Sequence, residues 1–225
     1  MQKIIDVIRI RKPISYSDGL ELQRSHGSRL EHSGDARSCL ILLEHKPVFT
    51  LGRTTAPQHL ICTEKELAQR TGADVLQTDR GGSVTYHAPG QLTAYLLLHL
   101  RRWQIEIHQH LFMLEECAIK TLDRFCIQGR HLEGMTGAWV DTGQDEKICA
   151  IGVSARRWIT YHGLSLNVNI ELTPFMEVVP CGLAGKGVTS MARVLNREIG
   201  IDEVASVLIG AFGEVYGARI EYASS

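Results

Sequence analysis

Six cysteines are spread along the 225-residue chain, and Cys181 differs from the others in its setting. It lies in VVPCGLAGKGVTS, between Pro180 and the glycines at 182, 185 and 187. Proline and closely spaced glycines predict a turn, where a thiol is exposed and free backbone amides can meet it. Next to a cation, a thiol ionises below its ordinary value of about 8.5 and becomes a nucleophile. Composition alone equally allows a cysteine placed by chance in a loop. Cys62, Cys117, Cys126 and Cys149 lie among apolar neighbours and are expected to act as small buried hydrophobes. No CxxC pair is present, so reduced thiols are expected rather than a disulfide framework.

Two further segments carry chemistry. In DRGGSVTYHAPGQLTAY, residues 79–95, Gly81 and Gly82 let the backbone approach a ligand and expose its amides. Arg80 can pair with a carboxylate, phosphate or carbonyl. Thr85, Tyr86 and His87 form a dense polar set ahead of a Pro89-Gly90 turn, though a hairpin whose polar groups cap strand ends fits the same residues. In KICAIGVSARRWITYHGLSLNVN, residues 147–169, a lysine opens an apolar strand. Buried, Lys147 would be driven toward its neutral amine unless an anion lay nearby. Turned outward, it would guard a strand edge. Arg156, Arg157 and Trp158 read as a solvated, partly stacked turn. His162-Gly163 reads as a second close approach to a ligand, with His162 a hydrogen-bonded structural histidine.

Several chemistries are excluded by spacing. There is no GxGxxG, and GLAGKG lacks the Walker spacing. There is no HExxH, CxxC or calcium-type loop, so no metal is expected. His108 and His110 are expected on a helix surface. Net charge is −1, with 44% hydrophobic and 22% charged residues, which gives no global attraction to nucleic acid or to an anionic membrane. The N-terminal residues lack a signal-peptide pattern and the apolar run LTAYLLLHL is too short to span a bilayer, so a soluble, cytoplasmic chain is expected.

The elements that must position these segments can be read from periodicity. Residues 4–10 alternate as a half-buried strand, residues 17–32 have helical spacing, and 39–45 with 47–52 read as buried strands. Residues 72–78 lead as a short strand into the glycine turn. Residues 106–128 carry an apolar stripe at Ile107, Leu111, Leu114, Ala118, Leu122 and Phe125. Strands are expected at 138–140, 147–153 and 164–170, with Asp145 and Glu146 in the polar loop ahead of the second. A last helix is expected over 202–216, capped by Asp202, followed by an edge strand. No linker or repeat interrupts the chain, so one α/β (α+β) domain over 1–225 is predicted, a mixed sheet flanked by helices.

Taken together, RGGSVTYH with PGQ, KICAIGV followed by HGLSLNV, and PCGLAGKGVTS resemble the octanoyl-[acyl-carrier-protein]:protein N-octanoyltransferase family of lipoate biosynthesis. LEHKPVFTLGR and MTGAWV add to the match, which runs in order from about residue 40 to residue 195. The resemblance implies the biotin/lipoate protein ligase-like fold and no cofactor. It places Cys181 as the acyl-thioester cysteine and Lys147 as the lysine that activates it. It also assigns substrate binding to Arg80, Gly81, Gly82, Ser83, Val84, Thr85, Tyr86 and His87, to Ala150, Ile151 and Gly152, and to Gly163, Leu164 and Ser165. The implied donor is octanoyl-acyl carrier protein. The implied acceptors are lipoyl domains of 2-oxoacid dehydrogenase acyltransferase subunits and the glycine cleavage H protein, and the group moved is octanoyl or lipoyl. The chain departs from the family pattern at Ala88, Cys149 and Gly185. Two rivals remain at this stage: an ATP-dependent lipoate or biotin ligase, and a non-catalytic module that binds lipoyl domains.

Overall fold

The computed structural model describes residues 2–33, 37–179 and 186–222. In chain order the elements are β1 (Ile4–Arg9), α1 (Tyr16–His32), β2 (Arg37–Leu43), β3 (Val48–Leu51), α2 (Glu64–Thr71) and β4 (Asp74–Gln77). Then come β5 (Val84–His87), β6 (Gln91–Leu97), α3 (Leu100–Trp103), α4 (Ile107–Arg124), β7 (Arg130–Leu132) and β8 (Met135–Asp141). The chain continues with β9 (Asp145–Arg156), β10 (Ile159–Asn167), β11 (Gly187–Val188), α5 (Met191–Leu195), α6 (Ile201–Tyr216) and β12 (Arg219–Tyr222).

The described strands form a nine-stranded mixed sheet in the order β12-β1-β2-β6-β10-β9-β8-β7, with β11 added beside β9. β12, β1 and β2 run parallel, and each pairing from β2 to β7 is antiparallel. A second sheet, β4-β3-β5, holds its own apolar cluster around Phe49, Leu51, Val84 and Tyr86. Period-two patterning explains how the large sheet is covered on both faces. In β2, Leu40 and Leu42 join the core beneath α4 and α6, while Cys39, Ile41 and Leu43 face α1. β6 repeats the division, with Leu92, Ala94 and Leu96 on one side and Tyr95 and Leu97 on the other. The stripe on α4 packs as its spacing predicts: Leu114, Ala118 and Leu122 are fully buried, and Ile107, Leu111 and Phe125 lean on them.

Several expectations are corrected. His110 is buried, not on the surface, because it lies one turn ahead of Leu114 on the inward face, and Tyr216 Oη is 2.9 Å from its Nδ1. Cys126 is exposed, on a residue with φ 59° just past the end of α4, and Cys62 is half-buried. Gly200, not Asp202, occupies the cap position of α6; Asp202 is in the first turn and binds Arg9 and Arg11. Asp145 and Glu146 belong to β9, where Glu146 is buried and accepts a bond from Thr142 Oγ1 at 2.7 Å. β10 starts at Ile159, earlier than its apolar run suggests, because Arg157 and Trp158 both take positive φ and turn β9 directly into it. The sequence reading also passed over α2, whose signature is the Thr63/Glu66 capping box.

Candidate active site

Lys147 is the third residue of β9 and its residue is only 7% exposed, so it is not a solvent-facing strand guard. Its Nζ donates to Thr136 O at 3.0 Å and lies 4.7 Å from the Trp139 ring centroid. Beyond Lys147 the β8/β9 register slips: Trp139 faces Lys147, but Ala138 faces Cys149. The extra residue, Ile148, is a β-bulge. It turns both Ile148 and Cys149 into the apolar core and brings Ala150 and Gly152 to the same pocket as Lys147.

That pocket is bounded by Arg80, Gly82, Thr85 and His87 on one side. Lys147, Ala150, Ile151, Gly152, Gly163 and Ser165 complete the sequence-predicted part of its lining. The other described residues of the predicted set, Gly81, Ser83, Val84, Tyr86 and Leu164, are not part of this lining. In β5, alternation sends Thr85 and His87 inward and Val84 and Tyr86 into the small sheet's core. In β10 it sends Leu164 into the main core between Gly163 and Ser165. Gly81 donates its N–H to Val153 O at 2.9 Å, and Ser83 Oγ lies 2.6 Å from His59 Nδ1; both build the loop rather than the pocket lining. The glycines permit close approach. A Cβ at Gly152 would lie 2.8 Å from Gly81 O, and one at Gly163 would lie 2.2 Å from Ala94 O.

The buried polar groups here form a chain with one direction. Arg80 Nε and Nη2 donate to Thr50 Oγ1 at 3.1 and 2.8 Å, which leaves the Thr50 hydroxyl to donate to His87 Nε2 at 3.3 Å. His87 Nδ1–H then donates to Gln91 Oε1 at 2.7 Å. Gln91 Nε2 donates to Asn167 Oδ1 at 2.9 Å, and Asn167 Nδ2 to Thr189 O at 2.9 Å. Thr189 N–H returns to Lys147 O at 3.0 Å. His87 is therefore held neutral in one tautomer, and burial pushes its pKa well below the ordinary histidine range.

The far wall is made by Tyr16, Tyr95 and His162; sequence reasoning assigned no site role to the two tyrosines and read His162 as a structural histidine beside the Gly163 approach. Tyr95 Oη donates to His45 Nε2 at 2.6 Å, and burial lowers the His45 pKa to about 4. His162, with φ 63°, places Nε2 2.8 Å from Asp79 Oδ1 and Nδ1 3.4 Å from Tyr16 Oη. The His162 bond holds the Asp79 carboxyl at about 2. Tyr95 carries a weak signal, a phenol within the largely apolar run LTAYLLLHL. Cys181 lies outside the described residues. A separate, larger cleft lined by Arg53, Arg101, Ile107, Arg157 and Trp158 holds none of the sequence-predicted site residues. Among the described residues no cluster of histidine, cysteine, aspartate and glutamate could hold a metal.

Residues 15–213 match the family model of the lipoyl protein ligase A/B catalytic domain. An octanoyltransferase of Chloroflexus aggregans is 42% identical over 207 residues, covering 92% of each chain. A mitochondrial octanoyl-[acyl-carrier-protein]:protein N-octanoyltransferase of Danio rerio is 38% identical over 213 residues, covering 94% of this chain and 92% of its own. Among solved structures, the bipartite lipoate protein ligase of Thermoplasma acidophilum superposes with a TM-score of 0.77 at 15% identity, over 100% of this chain and 88% of that one. A biotin protein ligase of Aquifex aeolicus superposes with a TM-score of 0.54 at 12% identity, over 94% and 70%. The fold is that of the lipoate and biotin protein ligases. The chain belongs to the octanoyltransferase family and is an enzyme of that family.

Proposed function

We propose that this enzyme transfers an octanoyl group from octanoyl-acyl carrier protein to a lysine of a lipoyl domain, through a thioester on Cys181 that Lys147 assists. The observation that carries this reading is the setting of Lys147. It is a buried amine at the acyl pocket, and Val188, shortly after the PCGLAGKG segment, pairs in register with it. Upstream of the same segment, Val179 N–H donates to His59 O at 2.9 Å, beside the glycine loop that Ser83 ties to His59. The described residues on either side of the Cys181 segment, Val179 and Val188, are thus bonded to elements next to the pocket.

In the first step the Cys181 thiolate attacks the donor's thioester carbonyl. A new C–S bond forms, the carrier's thiolate leaves and takes up a proton. In the second, the acceptor lysine's neutral amine attacks the acyl-enzyme carbonyl. The amide forms, sulfur departs as thiolate and the amine's proton passes to Lys147 or solvent. Thioester exchange is nearly isoenergetic and amide formation runs downhill, which suits covalent catalysis. Backbone amides at Cys181 and Gly182 and the Gly82 N–H are the candidate oxyanion donors, since the Gly81 N–H is taken by Val153 O. About six buried methylenes of the tail contribute roughly 5 kcal/mol of binding.

The lipoyl domains of 2-oxoacid dehydrogenases and the glycine cleavage H protein are the proposed acceptors. No helix among the described residues is long and apolar enough to cross a membrane, and the five described cysteines are free, which suits a reducing compartment such as the cytoplasm. The test is transfer from octanoyl-acyl carrier protein to a purified lipoyl domain without nucleotide. Acylation of the domain is expected. A strict requirement for ATP would instead support a ligase.

A further inference from the structure

We propose that Glu115 is a positioning residue for Lys147, acting through the peptide that joins Thr136 to Gly137. The inference rests on the reading that Lys147 serves acyl transfer. Thr136 O accepts the Lys147 Nζ bond at 3.0 Å. The N–H of that same peptide unit, on Gly137, donates to Glu115 Oε1 at 2.8 Å. One peptide is therefore gripped from both sides, by a carboxylate on its donor and an amine on its acceptor. A carboxylate on an amide N–H polarises the unit and makes its carbonyl a stronger acceptor. The lysine stem has four torsions to restrain, and a fixed, strengthened acceptor restrains the last of them.

The surroundings are built for this contact. Gly137 has φ 126°, and a Cβ there would lie 2.6 Å from Cys149 O and 3.3 Å from Lys147 Cε. A glycine is required to bring this peptide against the lysine. Glu115 comes from α4, and its side chain is 13% exposed. Its second oxygen is bound by His131 Nδ1 at 2.9 Å, while His131 Nε2 reaches Glu116 Oε1 at 2.6 Å. Both ring nitrogens of His131 thus face carboxylates. Burial alone would lower its pKa, but the two carboxylates raise it above the ordinary value. Phe112 stacks on the ring with centroids 4.8 Å apart, fixing the clamp. The other titratable group beside the peptide is the Cys149 thiol, which burial pushes up to about 12 and keeps protonated.

The experiment measures the pH dependence of Cys181 alkylation, with kcat and KM for octanoyl-acyl carrier protein, in the full chain. Glu115→Ala is expected to raise the alkylation midpoint by about one pH unit and lower kcat about tenfold with KM within about twofold. Glu115→Gln, whose amide oxygen still accepts from Gly137, should recover most of the loss. Asp123→Ala, at an exposed carboxylate further along α4, should leave the profile in place. If Glu115→Ala does not fold, Glu115→Asp, which keeps the charge but is a methylene too short to hold Gly137, should show the same direction of change. A Glu115→Ala (or Glu115→Asp) profile that superimposes on wild type, or an equal shift from Asp123→Ala, overturns the proposal. Lys147→Met, measured alongside, separates the two ideas. If it too leaves the profile unchanged, the assignment of Lys147 fails; if it alone shifts the profile, only the Glu115 relay fails.

Discussion

His87 and His110 are both buried, and burial holds both well below the ordinary histidine pKa, yet only one belongs to the pocket. His110 sits between α4 and α6 against Tyr216, and its Nε2 has no hydrogen-bond partner among the described residues. His87 uses both nitrogens, in a chain that runs from Arg80 on the glycine loop to Thr189 beside Lys147. A depressed pKa reports burial in both places. What separates them is continuity: the bonds of His87 tie together β3, β5, β6, β10 and the segment next to Lys147, whereas those of His110 end in an apolar layer.

That contrast can be broken by mutation, and the largest effect is expected at Lys147. Lys147→Met should slow acylation about a hundredfold at neutral pH, with partial recovery in alkali, because a positioned proton carrier is lost. Stopped-flow acylation against pH measures this. His87→Ala removes the middle of the chain and should lower kcat/KM about tenfold, the equivalent of roughly 1.4 kcal/mol. Equal activity would mean that the chain is scaffolding only. Ala150→Leu should shift preference toward shorter acyl donors, by roughly fourfold for each methylene excluded at ~0.8 kcal/mol. Ala150 is the better probe of the wall than Gly82, whose φ of 83° strains any side chain.

The smallest catalytic effect is expected at His110, where the change appears in stability. Its folded pKa is about 3 against 6.5 unfolded, so between these values the unfolded chain binds more protons. The stability this gives is complete above about pH 6.5 and is lost as pH falls, by about 2 kcal/mol at pH 5. Denaturant melts of His110→Phe should show a shallower loss between pH 7 and 5, with octanoyl transfer within about twofold of wild type. A pH dependence identical to wild type would show that His110 is not the titrating group.

Much of this arrangement was legible in the sequence, for reasons that differ from residue to residue. The continuous apolar runs at 39–43 and 92–100 and the stripe on α4 predicted buried strands under a helix, because a strand covered on both faces carries few polar residues. The glycine loop at 80–82 and the Gly163 approach were legible because close backbone contact leaves few residue types. The same helical period that placed Leu114 and Ala118 inward also placed His110 inward, and polarity alone misled there. The bulge at Ile148 was not legible, since it depends on the pairing of two strands, and it decides that Ala150 and Gly152 rather than Cys149 line the pocket. Tyr16, His45, Tyr95 and His162 meet only through the topology of the sheet. The roles of Lys147 and Cys181 came from resemblance, and the burial of Lys147 at the pocket supports the first.

The most direct measurement is the intact-protein mass after mixing with octanoyl-acyl carrier protein and no acceptor, followed by peptide mapping. The account predicts one octanoyl group, labile to hydroxylamine, on the peptide containing Cys181, and no adduct in a folded Cys181→Ala variant. An octanoyl group on Cys149 or another residue, or acyl transfer at the wild-type rate by Cys181→Ala, would contradict it.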